Sequence, residues 1–395
     1  MYSFLLVVFW LSVFLVGYTY VGYALVLWVM VKIKETVKGK PKPAVVGDLP
    51  DVTLLIAAYN EKDYVNQKVK NSVELDYPKD KLKIVWVTDG SNDGTPDLLR
   101  QYPEVTVHHR QQRGGKIEAM NRGVSLSDTP IIIFSDANAM LGKESVRRIV
   151  HLFANPEVGC VSGEKRIFNN TKDMAAGAGE GLYWKYESFQ KLYDARLYSV
   201  VGAAGELFAI RRELFSEVEK DTLLDDFMIS LRIAMQGYTT QYDPQAYACE
   251  TSSVNVKEEI KRKIRIAAGG FQSMARLTPL LNIFRYGILS FQYISHRVLR
   301  WTLAPLSLLL LLISNTVLAC WSGFFTWHFF VVVFWLQILF YVMAILGWFL
   351  ENRHIKLKIL FVPYYFFMMN LSVYLGLFRY LKKTQDVKWE RAKRR

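Results

Sequence analysis

The feature that most constrains this chain is the placement of its apolar residues, which gather in long, nearly uncharged runs at the two ends of the sequence. Residues 4–31 form one run, and residues 299–320, 329–350 and 359–381 form three more. A helix needs about 20 apolar residues to cross a bilayer core, so each run is long enough. Hydrophobic residues make up 51% of the chain and charged residues 22%, which suits a membrane protein.

The first run is followed by a cluster of lysines, namely Lys32, Lys34, Lys38, Lys40 and Lys42. By the positive-inside rule these lysines place the next segment in the cytoplasm and the N-terminus outside. A cleaved signal peptide is the alternative, but the run is too long for one and lacks a basic segment before it, so a retained anchor is favoured. We expect an integral protein of a bacterial cytoplasmic membrane.

The C-terminal third leaves two questions of topology open. The run 359–381 contains Pro363 and Asn370, and it suits either a third crossing or a re-entrant segment that leaves the basic tail in the cytoplasm. Residues 256–297 mix lysine and arginine with large apolar residues, which is typical of helices at a lipid interface. An ordinary solvated linker helix is the alternative for that segment.

Between the runs, residues 50–253 alternate short apolar strands with amphipathic helices. Strands are predicted at 52–58, 82–88, 105–108 and 130–135, and helices at 116–125 and 146–153. Such alternation favours a parallel sheet with right-handed crossovers, whose ligands bind beyond the carboxyl ends of the strands.

Polar residues follow three of these strands, at Asn60-Glu61, Asp89 and Asp136. The loop from Asp89 resembles the start of a calcium loop, but Arg100 stands where an EF-hand needs its last carboxylate. The loop is therefore either a structural turn or a carboxylate site for a polar ligand such as a nucleotide base or ribose.

Two further motifs suit phosphate and metal chemistry. Arg113-Gly114-Gly115-Lys116 opens a helix, so bare amides and a cation converge there as a diphosphate requires, although a plain turn fits equally well. Asp136 and Asn138 are two residues apart at a strand end, where they either hold Mg²⁺ or Mn²⁺ or form a turn.

Adjacent carboxylates, Asp225 and Asp226, begin another predicted helix. They either cap the helix or form a pair whose pKa values are driven apart, which leaves one as a general base. Taken alone, capping is favoured, and only the combination with the other loops favours the base.

In this order the motifs resemble the inverting glycosyltransferases of family 2, in the membrane-embedded branch that includes cellulose, hyaluronan and poly-N-acetylglucosamine synthases. The resemblance implies a GT-A fold, an α/β, Rossmann-like domain with a mostly parallel sheet, inserted on the cytoplasmic side between transmembrane helices. The implied organisation is a transmembrane helix at 1–32, a linker at 33–49, the GT-A domain at 50–255, interfacial helices at 256–297, a transmembrane region at 298–382 and a basic tail at 383–395.

The resemblance also implies a role for each motif. A nucleotide sugar, expected to be a UDP-sugar, would contact Ala58, Tyr59, Glu61, Asp89, Lys116, Asp136, Arg262 and Arg265. The acceptor would contact Gly202, Gly205, Glu206 and Trp184. Asp226 would be the base beside Asp225, and Asp136 and Asn138 would bind a divalent cation, Mg²⁺ or Mn²⁺.

Two departures from the family pattern affect the expected function. Asn138 replaces a carboxylate in the family's D-x-D motif, which predicts weaker metal binding. Residues 262–266 lack the Gln and Trp of the Q-x-x-R-W motif found in processive members. The implied function is sugar transfer to a saccharide in polysaccharide synthesis, and transfer of a single sugar to a lipid-linked acceptor is the alternative.

Other classes of protein fit less well. A non-catalytic membrane protein that binds a nucleotide or glycan remains an alternative, but an intact carboxylate pair beside the donor loops argues against it. The net charge of +13 lies mainly at membrane flanks and no nucleic-acid-binding motif is present, so lipids are the expected partners of the basic residues. Three scattered cysteines exclude a structural zinc site, and the histidines are interpreted as packing or surface groups.

Overall fold

The computed structural model describes residues 1–39, 47–168, 176–251, 256–352 and 357–384. The predictions for Lys40, Lys42 and most of the basic tail lie outside these residues. Two layers of helices enclose a central sheet in the middle of the chain, and long apolar helices stand at both ends.

The sheet in the described part of the chain has eight strands. They are β1 (Val52–Ala58), β2 (Leu82–Asp89), β3 (Val105–Arg110), β4 (Ile131–Asp136), β5 (Met140–Leu141), β6 (Val158–Phe168), β7 (Leu207–Arg211) and β8 (Thr239–Thr251). Their order is β3-β2-β1-β4-β7-β6-β8-β5. The first four are parallel, β7 is antiparallel to both of its neighbours, and β5 is antiparallel to β8. The predicted mostly parallel sheet is confirmed.

Burial explains why the first strands could be predicted from the sequence. Every residue of β1 is buried, because helices cover both faces of the sheet, and a strand buried on both faces has a continuous apolar sequence. In the register of the sheet Ala58 pairs with Thr88, and Ala57 pairs with Asp136. The carboxyl ends of β1, β2 and β4 therefore meet at one edge.

The helices of the described chain up to residue 276 are α1 (Tyr2–Lys38), α2 (Lys62–Val73), α3 (Thr95–Leu99), α4 (Lys116–Ser125), α5 (Ser145–Leu152), α6 (Ala176–Leu197), α7 (Asp225–Met235) and α8 (Val256–Arg276). After them come α9 (Ile283–Tyr286), α10 (Ile288–Tyr293), α11 (Leu299–Trp301), α12 (Leu303–Ser322), α13 (Phe329–Asn352) and α14 (Lys358–Leu381). π-helical turns interrupt α1 at Tyr18–Gly22 and join α10 to α11 at Ile294–Val298.

Within the described residues, four helices are long and apolar enough to cross a membrane, namely Tyr2–Lys38, Leu303–Ser322, Phe329–Glu351 and Ile359–Leu381. Phe9 of α1 packs with Leu318 of α12 and Phe330 of α13. Their outer faces expose large apolar side chains such as Phe14 and Leu336. Exposed apolar surface of this extent is typical of contact with lipid.

Helix α8 connects the sheet domain to the last apolar helix. A Cβ atom added at Gly376 of α14 would lie 2.5 Å from the Cβ of Ala267, so the two helices touch through small residues. On its other side, Gly269 of α8 contacts Leu224, just before α7. This packing brings α14 next to the edge of the sheet where the polar residues gather.

Candidate active site

A cavity of about 600 Å³ lies where the edge of the sheet meets α6, α8 and α14. Its sheet end is charged and its far end is formed by apolar residues of α14. Nine of the residues predicted for the site line it, namely Lys116, Asp136, Trp184, Gly205, Glu206, Asp225, Asp226, Arg262 and Arg265. Ala58, Tyr59 and Asp89 line an adjoining small cleft that also contains Lys116. Glu61, Asn138 and Gly202 lie outside both.

Lys116 is the cation around which the carboxylates gather. Its Nζ lies 3.0 Å from Asp136 Oδ1 and 3.2 Å from Asp225 Oδ2, and all three side chains are less than one-fifth exposed. Burial disfavours the charged ammonium, but the two carboxylates outweigh it and raise the pKa of Lys116 above its usual value. Burial also raises the pKa of Asp136, an effect that Lys116 opposes.

Asp226 stands beside this ion cluster without an ion pair of its own among the described residues. Burial and the neighbouring Asp225 raise its pKa to about 7, although Lys116 opposes the shift. Its Oδ1 accepts a hydrogen bond from the Phe227 amide at 2.9 Å, as expected at the start of a helix. The second oxygen faces Gly205, where an added Cβ would lie 3.2 Å from it. Asp226 is thus a half-buried carboxylate with the properties of a general base.

The loop of Gly202 and Gly205 is shaped by close approaches. Gly202 has a φ of +89°, and a Cβ atom there would lie 2.4 Å from the Phe227 ring. Only glycine fits both that backbone conformation and that space. Gly202 therefore allows the loop to lie directly against Phe227 at the start of α7. It does not line the cavity.

The amides of the glycine loop before α4 are not bare. Asp89 Oδ2 accepts hydrogen bonds from the amides of Gly114 and Gly115, at 2.8 and 2.6 Å. The expectation that the amides of Gly114 and Gly115 are bare is therefore wrong, because both donate to the buried carboxylate of Asp89. Asp89 holds the loop, while the Arg113 guanidinium lies over the Tyr59 ring, 3.7 Å from its centroid.

The loop after β1 is fastened to the loop after β2. Asn60, with a φ of 54°, exchanges two hydrogen bonds with Asn92, and the Glu61 amide donates to Thr95 Oγ1 at 3.1 Å. The Glu61 side chain is buried. The turn that begins at Asp89 therefore has a structural role in addition to any contact with a ligand.

The described residues contain no group of three or more His, Cys, Asp or Glu that could hold a metal ion. Asp136 nevertheless faces the cavity, and it already attracts an ammonium together with Asp225. Mg²⁺ is commonly held by one or two carboxylates together with substrate phosphates and water. The residues present therefore fit a cation that is bound jointly with a nucleotide diphosphate.

A profile described as glycosyltransferase like family 2 matches residues 50–269, which is more than half of the chain. The chain belongs to glycosyltransferase family 2. The matched residues run from the strand before Tyr59 to α8, so they contain Asp136 and the pair Asp225 and Asp226. The resemblance drawn from the sequence motifs is thereby confirmed.

Curated relatives of this family 2 glycosyltransferase include proteins named for different products. The probable glycosyltransferase YdaM of Bacillus subtilis is 28% identical over 244 residues, which cover 56% of this chain and 56% of that protein. The beta-monoglucosyldiacylglycerol synthase of Synechocystis is 29% identical, with 54% and 47% covered. The poly-beta-1,6-N-acetyl-D-glucosamine synthase of Staphylococcus aureus is 24% identical, with 58% and 57% covered. The chain spans about half the length of the curated relatives it matches.

Among solved structures, the mannosyltransferase PcManGT from Pyrobaculum calidifontis, in complex with GDP-Man and Mn²⁺, is similar over almost the whole length. The TM-score is 0.71 at 21% identity, and the match covers 96% of this chain and 100% of that one. At this identity the likeness establishes the fold, and it confirms the GT-A type of sheet with apolar helices at both termini.

Lys68 is a residue of this glycosyltransferase that the sequence reasoning missed. It is fully buried on α2, and its Nζ donates to Ser135 Oγ at 2.7 Å and to the Ala139 carbonyl, on either side of the Asp136 turn. Burial lowers its pKa to about 7, against the opposing effect of Asp136. Its position next to Val69, on the apolar face of α2, is the feature of the sequence that could have indicated its burial.

Glu206 belongs to a second buried ion cluster. Lys165 bridges Glu206 and Glu250, with Nζ 2.6 Å from Glu250 Oε2. Burial opposes ionisation of Glu206, but Lys165 and then Arg262 hold its pKa below the usual range. The ammonium groups of Lys165 and Lys263 lie 5.7 and 5.6 Å from the centroid of the Trp184 ring. Glu206 is thus tied to the wall of the cavity.

A third ion cluster also lines the cavity, and the sequence reasoning did not find it. Glu187 binds Arg297 at 2.7 Å and Arg300 at 2.9 Å. His296, interpreted from sequence as a packing or surface group, is fully buried and its Nδ1 lies 2.6 Å from Asp194 Oδ2. Tyr23 of α1 donates to the other oxygen of Asp194 at 2.5 Å, so this network joins the N-terminal helix to the site.

Proposed function

We propose that this family 2 glycosyltransferase moves a sugar from a nucleotide sugar to a hydroxyl group, with inversion, at the cytoplasmic face of a membrane. The observation that carries the proposal is Asp226, a cavity-facing carboxylate with a raised pKa beside the Lys116 ion cluster. The relatives are named as synthases of a polysaccharide and of a glycolipid, and the structural neighbour holds GDP-Man and Mn²⁺, which supports a nucleotide-sugar donor.

The donor would lie along the sheet edge, with its nucleoside against the surface formed by Tyr59 and Asp89. Lys116 and Arg265 would then face its diphosphate. Arg265 lines the cavity and has no ion pair among the described residues, so its guanidinium is available to an anion. Arg262, on the same helix face, also lines the cavity near Glu206.

Asp226 would accept the proton of the acceptor hydroxyl as that oxygen attacks the anomeric carbon from the side opposite the leaving diphosphate. One in-line displacement of this kind inverts the configuration. Asp225 is engaged by Lys116 at 3.2 Å, which leaves Asp226 as the carboxylate available for the proton. A divalent cation held by Asp136 would offset charge on the leaving diphosphate, and Asn138, which does not line the cavity, would be a second ligand only if its side chain turned toward Asp136.

The test is Asp226→Asn in purified protein, supplied with a panel of labelled nucleotide sugars with and without Mg²⁺ or Mn²⁺. We expect transfer to fall by at least about 10²-fold, the usual contribution of a general base, while nucleotide binding is retained. Asp221→Asn is the matched control, because Asp221 is largely exposed and pairs with Arg276. Near-normal turnover by Asp226→Asn would refute the assignment.

The size of the labelled product separates the two acceptor classes. A long water-soluble chain would indicate polysaccharide synthesis, as in the named synthase of Staphylococcus aureus. An extractable lipid carrying one added sugar would indicate transfer to a lipid-linked acceptor. The apolar wall that α14 gives to the cavity favours the second.

A further inference from the structure

Lys191 on α6 is a buried lysine for which the described part of the chain provides no partner. Its side chain lines the cavity and only 5% of the residue is exposed, yet it has no hydrogen bond or ion pair within the described residues. An ammonium that faces a confined cavity attracts an anion more strongly than one in open water, because the effective dielectric constant around it is lower. An anionic group that enters the cavity would supply a negative charge for Lys191 to bind.

Two arginines surround the same end of the cavity. Arg297 and Arg300 line it with side chains only 13% and 12% exposed, and both are bound to Glu187, one helical turn before Lys191. Asp194 is engaged by Tyr23, Gln292 and His296 and does not line the cavity. Three cations against one carboxylate leave two positive charges, enough to neutralise the single negative charge of a phosphodiester.

The neighbouring wall is apolar. Val362, Phe366, Met369 and Val373 of α14 line the cavity, and α14 is one of the helices that could cross a membrane. A small soluble anion would gain nothing from this wall, whereas an alkyl chain attached to the anion would bury apolar surface against it. The cavity continues from here to Asp226.

We propose that the Lys191 end of the cavity binds the phosphate of a lipid, so that the acceptor is a hydroxyl-bearing or saccharide headgroup joined to a lipid through phosphate. The phosphate lies among Lys191, Arg297 and Arg300, and the chain lies along α14. The headgroup hydroxyl then extends toward Asp226. This inference rests on the proposed function, which supplies Asp226 as the base.

The experiment measures binding to the purified full chain in a non-ionic detergent by isothermal titration calorimetry. The probes are decyl phosphate, decanol and inorganic phosphate. We expect decyl phosphate to bind at least about tenfold more tightly than either of the others, because it alone uses both the cations and the apolar wall. In Lys191→Met that preference is lost, while weak decanol binding is unchanged.

The matched control is Lys185→Met, which removes an exposed lysine from the same helix and keeps wild-type binding. Without ligand, Lys191→Met unfolds at the same or a higher temperature than the wild type, because Lys191 makes no hydrogen bond or ion pair with the described residues that the variant would lose. That result distinguishes loss of a binding group from loss of the fold. Lys191→Arg, which keeps the charge, retains the preference for decyl phosphate.

Equal affinities for decanol and decyl phosphate would overturn the inference, as would wild-type binding by Lys191→Met. The inference would also be overturned if a nucleoside diphosphate displaced decyl phosphate completely and inorganic phosphate bound as tightly as decyl phosphate. That result would assign Lys191, Arg297 and Arg300 to the donor. The proposed function is tested separately, since Asp226→Asn abolishes transfer and still binds decyl phosphate. An active Asp226→Asn that binds decyl phosphate would refute only the proposed function.

Discussion

Lys116 is the residue whose removal most directly tests the electrostatic organisation of the active site. In Lys116→Met the methionine keeps most of the volume of the lysine side chain but removes its charge. Asp136 and Asp225, now 3.0 and 3.2 Å from that charge, are then left buried together with Asp226. Three carboxylates would then share one site without the ammonium that now contacts two of them.

The magnitude follows from the distances. At 3.0 to 3.2 Å and an effective dielectric constant of about 20, each contact has a Coulomb energy of about 5 kcal/mol before desolvation is subtracted. Removing one partner of a buried ion pair typically costs about 3–5 kcal/mol of folding free energy. For a domain of this size each 1 kcal/mol lowers Tm by about 2–4 °C, so we expect a decrease of about 6–20 °C at pH 8.

The decrease should depend on pH with a definite sign. Burial already raises the pKa of Asp136 and Asp226, and without Lys116 both values rise further. A carboxyl group whose pKa is higher in the folded protein destabilises the fold as pH rises above its unfolded value. The variant should therefore recover most of its lost stability at pH 5.5, where these groups take up protons.

The assay is thermal unfolding of the purified chain in detergent at pH 5.5 and pH 8, followed by intrinsic fluorescence. Lys220→Met is the matched control, because Lys220 is exposed and lies 3.5 Å from Glu118 in a surface ion pair worth less than about 1 kcal/mol. A decrease in Tm for Lys116→Met of equal size at both pH values would refute the reasoning, because lost packing does not titrate.

Two further predictions concern the pH dependence and the metal. With a pKa of about 7, Asp226 should be protonated and inactive at lower pH, so kcat/KM should fall as the pH drops below 7. Asp225→Asn should shift this acidic decline of kcat/KM to lower pH, because Asp225 raises the pKa of Asp226. A decline at the wild-type pH would contradict the interaction between the two carboxylates. Lys68→Met should raise the metal concentration for half-maximal transfer by about tenfold, because the turn of Asp136 loses its support, whereas the exposed Lys70→Met should not.

The fold was predictable where the sequence pattern is local. The helix predicted at 116–125 is α4, and β1 has its predicted bounds, because a doubly buried strand and an amphipathic helix each have a distinctive pattern. The later strands, β5 to β8, were not predicted. β8 contains Pro244 and mixes polar with apolar residues, and its pairing with β6 is interrupted by two shifts in register.

The same distinction applies to the active site. The carboxylates at Asp89, Asp136 and Asp226 were found because each follows a strand or begins a helix, and the topology of a parallel sheet brings such ends together. Lys68 and Lys191 were missed because a lysine on a helix is usually solvated, and only tertiary packing shows that these two are buried.

The basic segments near the membrane illustrate the limit of reading charge from sequence. Residues 256–297 were expected to direct their cations at lipid headgroups, and Lys261 is indeed exposed. Lys263 and Arg297, from the same segment, are instead buried against Trp184 and Glu187. A cation turned into the protein loses solvation that a cation at the lipid interface keeps, and carboxylates compensate for that loss here, since Lys263 lies 3.5 Å from Glu259 and Arg297 lies 2.7 Å from Glu187. Part of the positive charge in this segment is therefore spent on packing inside the protein, and the sequence alone does not separate it from charge that faces lipid headgroups.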